Sequence, residues 1–257
     1  MTQQQSEEPP KLASFGTALN VAVIGASGGI GQAIADDLVR CAAVARIFRL
    51  SRSALQAGDD SDRWLRLDLE DEASISAAAN AIRRSAGELH LVLVATGMLH
   101  AGDQLQPEKT WRSLDSGALQ TAFRINTIGP ALVAKHFLPL LAKDRKTVFA
   151  ALSARVGSIE DNRLGGWYGY RASKAALNMM IRTLAIELAR SHPRALCVGL
   201  HPGTVDTRLS KPFQSGVPAA QLFPPARSAR HLLDVVEQLA PEHSGGVYAW
   251  DGVRVPG

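Results

Sequence analysis

Apolar residues along this chain fall into two alternating patterns. Short, almost continuously apolar runs at 20–24, 46–50, 64–67, 89–95, 147–153, 195–201 and 247–250 predict strands. Continuous apolarity is what a strand needs when both of its faces are covered. Between these runs, apolar positions recur at helical spacing over 30–41, 72–86, 117–141, 172–190 and 227–239. Strand alternating with helix predicts a parallel sheet with right-handed crossovers. The pattern therefore predicts one α/β domain over residues 19–257, with about seven parallel strands and helices on both faces.

Two segments break the rhythm. Residues 1–18 are rich in Gln, Ser, Glu and Pro and read as a disordered lead-in. Residues 211–225, KPFQSGVPAAQLFPP, hold four prolines and no periodic pattern. A long irregular stretch inside a compact domain predicts a loop over a substrate.

Composition and charge exclude more than they assign. The 257 residues are 46% apolar and 20% charged, enough for a full globular core. Cys41 and Cys197 lie in apolar segments outside any CxxC or Cys/His cluster, so neither a metal site nor a disulfide framework is expected. No apolar run reaches the roughly 18 residues of a membrane span, which leaves a cytoplasmic setting as the default. The net charge of +4 is spread among acidic residues, which argues against nucleic acid as partner. A mildly positive surface suits an anionic cofactor instead.

The first apolar run leads into Gly25-Ala26-Ser27-Gly28-Gly29-Ile30-Gly31. Glycines between a strand and a helix let the backbone approach a pyrophosphate, and the helix then offers free N–H groups to it. At the end of the second run, where an NAD site carries a carboxylate for the ribose hydroxyls, the chain reads Ser51-Arg52-Ser53. Ser51 and Arg52 suit a 2′-phosphate, so NADP(H) is the expected cofactor; otherwise Arg52 is a solvated loop charge. Further along, Tyr170-Arg171-Ala172-Ser173-Lys174 places a phenol and an ammonium one helical turn apart. A lysine ammonium nearby, together with an oxidised nicotinamide ring, would lower a tyrosine pKa from about 10 and ease proton transfer to a carbonyl oxygen.

The G-x-x-x-G-x-G turn together with Y-x-x-x-K resembles the short-chain dehydrogenase/reductase family, from about Val21 to near the end of the chain. The resemblance implies a Rossmann-type doubly wound sheet and NADP(H)-dependent reduction of an aldehyde or ketone, with Tyr170 donating the proton. It further implies that Asp68 and Leu69 meet the adenine, and that Lys174 also holds the nicotinamide ribose. Asn126 would support a proton relay, and Pro202, Gly203, Val205 and Thr207 would line the nicotinamide side. Gly97 is what remains of the family's N-N-A-G segment, here Val94-Ala95-Thr96-Gly97. The stretch from Ser153 to Tyr168 resembles the C-factor and sniffer-like carbonyl reductase branch. Relatives commonly pair as homodimers or homotetramers through the two long helices.

One position departs from the family's pattern. Its fifth strand ends in Ser-Ser-x-x-Gly, and the second serine polarises the substrate carbonyl; here the pair is Ser153-Ala154. Ser153, or Ser158 across the turn, is left to supply that hydroxyl, and each equally fits the role of satisfying backbone groups. Trp167, Tyr168, Phe213, Leu222, Phe223, Met98, Leu99 and His100 form an expected apolar wall, which suits a small apolar carbonyl compound. His100 and His201 match no catalytic position of the family and are expected in supporting or solvent-facing roles. A second reading stays open, an NADP(H)-binding regulator with little or no turnover.

Overall fold

The computed structural model describes residues 9–53, 62–102 and 105–257. The chain runs β1 (Leu19–Ile24), α1 (Gly29–Val39), β2 (Val44–Ser51), β3 (Asp62–Arg66), α2 (Glu72–Ala86) and β4 (Leu91–Val94). It continues through α3 (Ser116–Phe123), α4 (Gly129–Phe137), β5 (Thr147–Leu152), α5 (Tyr168–Leu188), β6 (Ala195–His201) and β7 (Thr204–Val205). The last elements are β8 (Leu222–Phe223), α6 (Pro225–Gln238) and β9 (Val247–Ala249).

Seven strands form one sheet in the order β3-β2-β1-β4-β5-β6-β9, with every neighbouring pair parallel. Successive residues of a strand point to opposite faces. Accordingly Val21 and Val23 join the core under α1 and α6, while Ala22 and Ile24 join the one under α2, α4 and α5. This doubly wound arrangement is the Rossmann-type fold expected from the apolar runs. The order reverses between β1 and β4, and a crevice opens there at the carboxyl ends of the strands.

The expected helix over 117–141 is broken. Pro130 lacks an N–H, so the ladder cannot continue through it, and the backbone widens to a π turn over Arg124–Ile128 before α4 begins. The 211–225 segment holds two single-turn helices and β8, which pairs with β7.

The expected lead-in also needs correction. Residues 1–8 lie outside the described residues, but Leu12 and Phe15 are buried in the core beneath α6. Polar contacts hold the segment there. The Ser14 N–H donates to Glu237 Oε1 at 2.9 Å, and Lys146 Nζ donates to Ser14 Oγ at 2.9 Å and to the Glu237 carbonyl at 2.8 Å. Lys146 also sits 4.7 Å from the centre of the Phe15 ring. Phe15→Ala should lower the free energy of unfolding by about 3–5 kcal/mol, the usual cost of removing a buried ring. A urea midpoint unchanged by that substitution would show that the segment does not belong to the folded unit.

Candidate active site

The turn after β1 is wound so tightly that its glycines are obligatory. Gly25 has φ +84°, and a Cβ on Gly31 would overlap the Gly25 carbonyl. The winding sets Gly28 as the N-cap of α1, and no side chain caps the helix, so its first N–H groups open toward the crevice. Ser27 is exposed on the same turn. Gly28, Gly29 and Ile30 line a cavity of about 410 Å³, which Gly97, Pro202 and Thr207 close from the facing loops. Thr96 lines it too, and its Oγ1 is buried without a hydrogen-bond partner among the described residues. An unmet polar group beside an uncapped helix start is the environment a nucleotide phosphate or amide would satisfy.

Tyr170 and Lys174 share this cavity with Ser153. Helix α5 begins at Tyr168, earlier than the expected 172, which puts Tyr170 in its first turn and Lys174 one turn deeper. Trp167 caps the helix in the left-handed region, φ 53° and ψ 42°. Glu108 fixes that start. Its carbonyl accepts the Trp167 N–H at 2.5 Å, and its Oε2 accepts the Gly169 N–H at 3.1 Å. A buried carboxylate facing the positive end of a helix is well placed electrostatically.

The ammonium of Lys174 is fully enclosed and donates to the Leu152 carbonyl at 2.7 Å. Burial pushes its pKa down to about 7. Burial also pushes the Tyr170 phenol up to about 12. The expected lowering of the tyrosine by its lysine is therefore not what the protein alone produces: desolvation outweighs an ammonium 5.9 Å from the ring centre. At neutral pH Tyr170 carries its proton.

Asn126 lies in the π turn and is buried. Its Oδ1 accepts the Met98 N–H at 2.8 Å, while its Nδ2 donates to the Met98 carbonyl at 2.9 Å and to Ser173 Oγ at 3.1 Å. The next residue, Thr127, donates to the Ser173 carbonyl at 2.7 Å. The asparagine thus pins the loop after β4 to the helix that carries Tyr170 and Lys174.

The hydroxyls and strand ends expected in the site make contacts of their own. The Ser153 hydroxyl donates to Asn178 Oδ1 at 2.6 Å, and the amide of Asn178 is turned by the Gly157 carbonyl at 3.4 Å. A hydroxyl has one proton to give, and Ser153, on the wall of the cavity beside Tyr170, gives it here to Asn178. Ser158 donates to the Gly257 carbonyl at 3.0 Å and lines a different pocket. Ser51 is buried and donates to the Ser53 carbonyl, and Arg52 is exposed at the same strand end. Asp68 accepts the Glu70 N–H at 3.1 Å, and Leu69 lies against Gly129 of α4. These four are outside the cavity.

A second cavity of about 330 Å³ adjoins the first at Tyr170 and Ser153, and Gly203 and Val205 line it. Trp167, Phe213 and Leu99 supply the expected apolar wall. Phe213 stacks edge-on between Trp167 (5.2 Å) and His100 (5.7 Å), which ties the 211–225 segment across the opening. Tyr168 borders another pocket, and Phe223 is buried against Trp250, so neither contributes. Leu222 belongs to β8 and borders neither cavity. Among the described residues no group of three or more His, Cys, Asp or Glu could hold a metal ion, and no helix is long and apolar enough to cross a membrane.

The family model described as short chain dehydrogenase matches residues 19–217. C-signal of Myxococcus xanthus is 38% identical over 144 residues, 56% of this chain and 81% of that protein. The crystal structure of an NADPH-bound carbonyl reductase from chicken fatty liver superposes with a TM-score of 0.81 at 26% identity, over 94% of this chain and 100% of that one. The carbonyl reductase Sniffer of D. melanogaster has a TM-score of 0.77 at 20% identity, over 94% and 100% of the two chains, a likeness of fold alone.

Glu108 is the site residue that sequence reasoning missed. Glu108→Ala strips the acceptor from the buried Gly169 N–H and should cost about 1–3 kcal/mol of stability. Glu108→Gln keeps an acceptor oxygen and should cost less. Equal chemical-denaturation midpoints for the two variants would contradict this anchoring role.

Proposed function

Because the chain belongs to the short chain dehydrogenase family of oxidoreductases, we propose that it reduces a small apolar aldehyde or ketone to the alcohol with NADPH as the hydride source. Its kinship runs to the C-factor and sniffer-like branch expected from residues 153–168. The observation that carries the reading is the shared cavity: phosphate cradle, Tyr170 and Lys174 line one continuous space that opens onto an apolar pocket.

When bound, the reduced nicotinamide supplies the hydride. The chain's own residues do the rest. The uncapped start of α1 and the turn at Gly28 and Gly29 hold phosphate, while Thr96, Pro202 and Thr207 border the part of the cavity that continues to Tyr170. Tyr170, protonated because burial raises its pKa to about 12, is the proton donor to the carbonyl oxygen. Lys174 lies close enough to stabilise the phenolate left behind, and Asn126 keeps the Met98 loop and the Ser173 turn of α5 in register. Trp167, Phe213 and Leu99 exclude water from the reacting face. NADP(H) over NAD(H) rests on the bare strand end at Ser51 and Arg52, and on the NADPH held by the chicken reductase. A cytoplasmic location and pairing through the faces bearing Ile128, Met179 and Ile186, all exposed, complete the proposal.

A second reading, cofactor binding that regulates a protein contact, is favoured by Ala154 and by the engaged hydroxyl of Ser153. Substitution separates the two. Tyr170→Phe should leave NADPH affinity within about twofold and remove nearly all NADPH oxidation against a panel of aldehydes and ketones, since general acid catalysis contributes about 10²–10⁴-fold. Full turnover in that variant would remove Tyr170 from the mechanism, and no turnover by the unaltered protein would favour the regulator. Arg52→Ala should weaken NADPH binding by at least tenfold more than NADH binding; equal losses would make Arg52 a surface charge. The charge on Lys174 sets the direction of the pH dependence. Below its pKa the ammonium is present and above it the charge is lost, so kcat for reduction should fall as pH rises through about 7. A profile flat across that value would contradict the role of Lys174.

A further inference from the structure

The reading above leaves the substrate oxygen with one donor, Tyr170. Residue 154, where relatives carry a hydroxyl, is an alanine on the wall of the substrate cavity, and the hydroxyls of Ser153 and Ser158 are both engaged elsewhere. One polar ring on the same wall has no such commitment. His201 ends β6, beside the end of β5, where the Ser153 N–H donates to the Leu200 carbonyl at 2.8 Å. It lines the cavity together with Ala154 and Tyr170. Its Nδ1 is buried and has no hydrogen-bond partner among the described residues.

The charge state of this ring is settled by its surroundings. Burial pushes its pKa down to about 4, Arg155 on the neighbouring turn acts in the same direction, and Asp251 opposes them weakly. The imidazole is therefore neutral across the working range and carries a single N–H. Placing that proton on an enclosed nitrogen with no acceptor is costly, so it belongs on Nε2. A neutral imidazole that donates without being able to give up a full proton is suited to polarising a carbonyl, and it does not compete with Tyr170 as the acid.

We propose that His201 donates a hydrogen bond to the substrate carbonyl oxygen, standing in for the hydroxyl that Ala154 lacks. The assignment rests on the carbonyl-reductase reading, and it makes His201 a catalytic residue that sequence position alone would not nominate.

Two measurements on the full-length protein test it. In steady-state NADPH oxidation with acetophenone, His201→Ala should lower kcat about 10²-fold while changing KM little, the usual effect of removing one oxyanion donor. Adding Ala154→Ser to that variant should restore at least tenfold of the loss. A loss that Ala154→Ser fails to rescue, or no loss in His201→Ala, would overturn the assignment.

The second measurement needs no turnover. Carbonyl-¹³C acetophenone bound with NADP⁺ to Tyr170→Phe should show a carbonyl stretch shifted to lower frequency than the ketone in hexane, and His201→Ala in the same background should abolish the shift. No His201-dependent shift would overturn the proposal. A His201-dependent shift combined with undiminished turnover in Tyr170→Phe would instead leave His201 in place and sink the tyrosine mechanism.

Discussion

A lysine ammonium enclosed at the heart of the molecule, hydrogen-bonded among the described residues only to the neutral Leu152 carbonyl, is the constraint around which the site is arranged. Taking an ammonium out of water without a counter-ion is expensive, and the protein answers by lowering the Lys174 pKa to about 7. That position is possible only because the surrounding backbone is held rigidly. Asn126 bonds both polar groups of Met98 and also Ser173, Thr127 takes the Ser173 carbonyl, and Glu108 anchors the start of α5. Each contact fixes the helix on which Lys174 and Tyr170 sit.

The π turn follows from the same arrangement. An unbroken helix over 117–141 would carry Asn126 past the loop after β4. Just before Pro130 the ladder widens by one residue, so that the Gly129 N–H reaches the Arg124 carbonyl and the asparagine projects between Met98 and Ser173. A local defect in regular structure is thereby tied to the geometry of the cavity, a common circumstance for π turns at functional sites.

Much of this was legible in the sequence, for identifiable reasons. Strands buried on both faces leave continuous apolar runs, so β1, β5 and β6 were recognisable and with them the doubly wound sheet. The glycine turn was readable because the Gly25 and Gly31 positions exclude a side chain physically. Other features left weaker signals. Leu12 and Phe15 are isolated apolar residues in a polar stretch, and only the three-dimensional groove beneath α6 gives them a partner. Pro130 signalled the helix break, yet helical periodicity on either side of it was the stronger pattern. Glu108 sits in an irregular segment, where nothing in its neighbours announces a cap for a helix sixty residues later. The contact between Ser153 and Asn178 is one that no local pattern encodes.

Transfer of hydride within this cavity is the central claim, and isotope transfer tests it most directly. NADPH carrying deuterium at the transferable position of its nicotinamide ring would be incubated with the protein and a panel of ketones, and the alcohols analysed by mass spectrometry. The account predicts one deuterium bound to the carbinol carbon of at least one product, in stoichiometric match with NADPH consumed. Tight NADPH binding with no deuterium delivered to any ketone would contradict it, and would leave the cavity as a cofactor-sensing site.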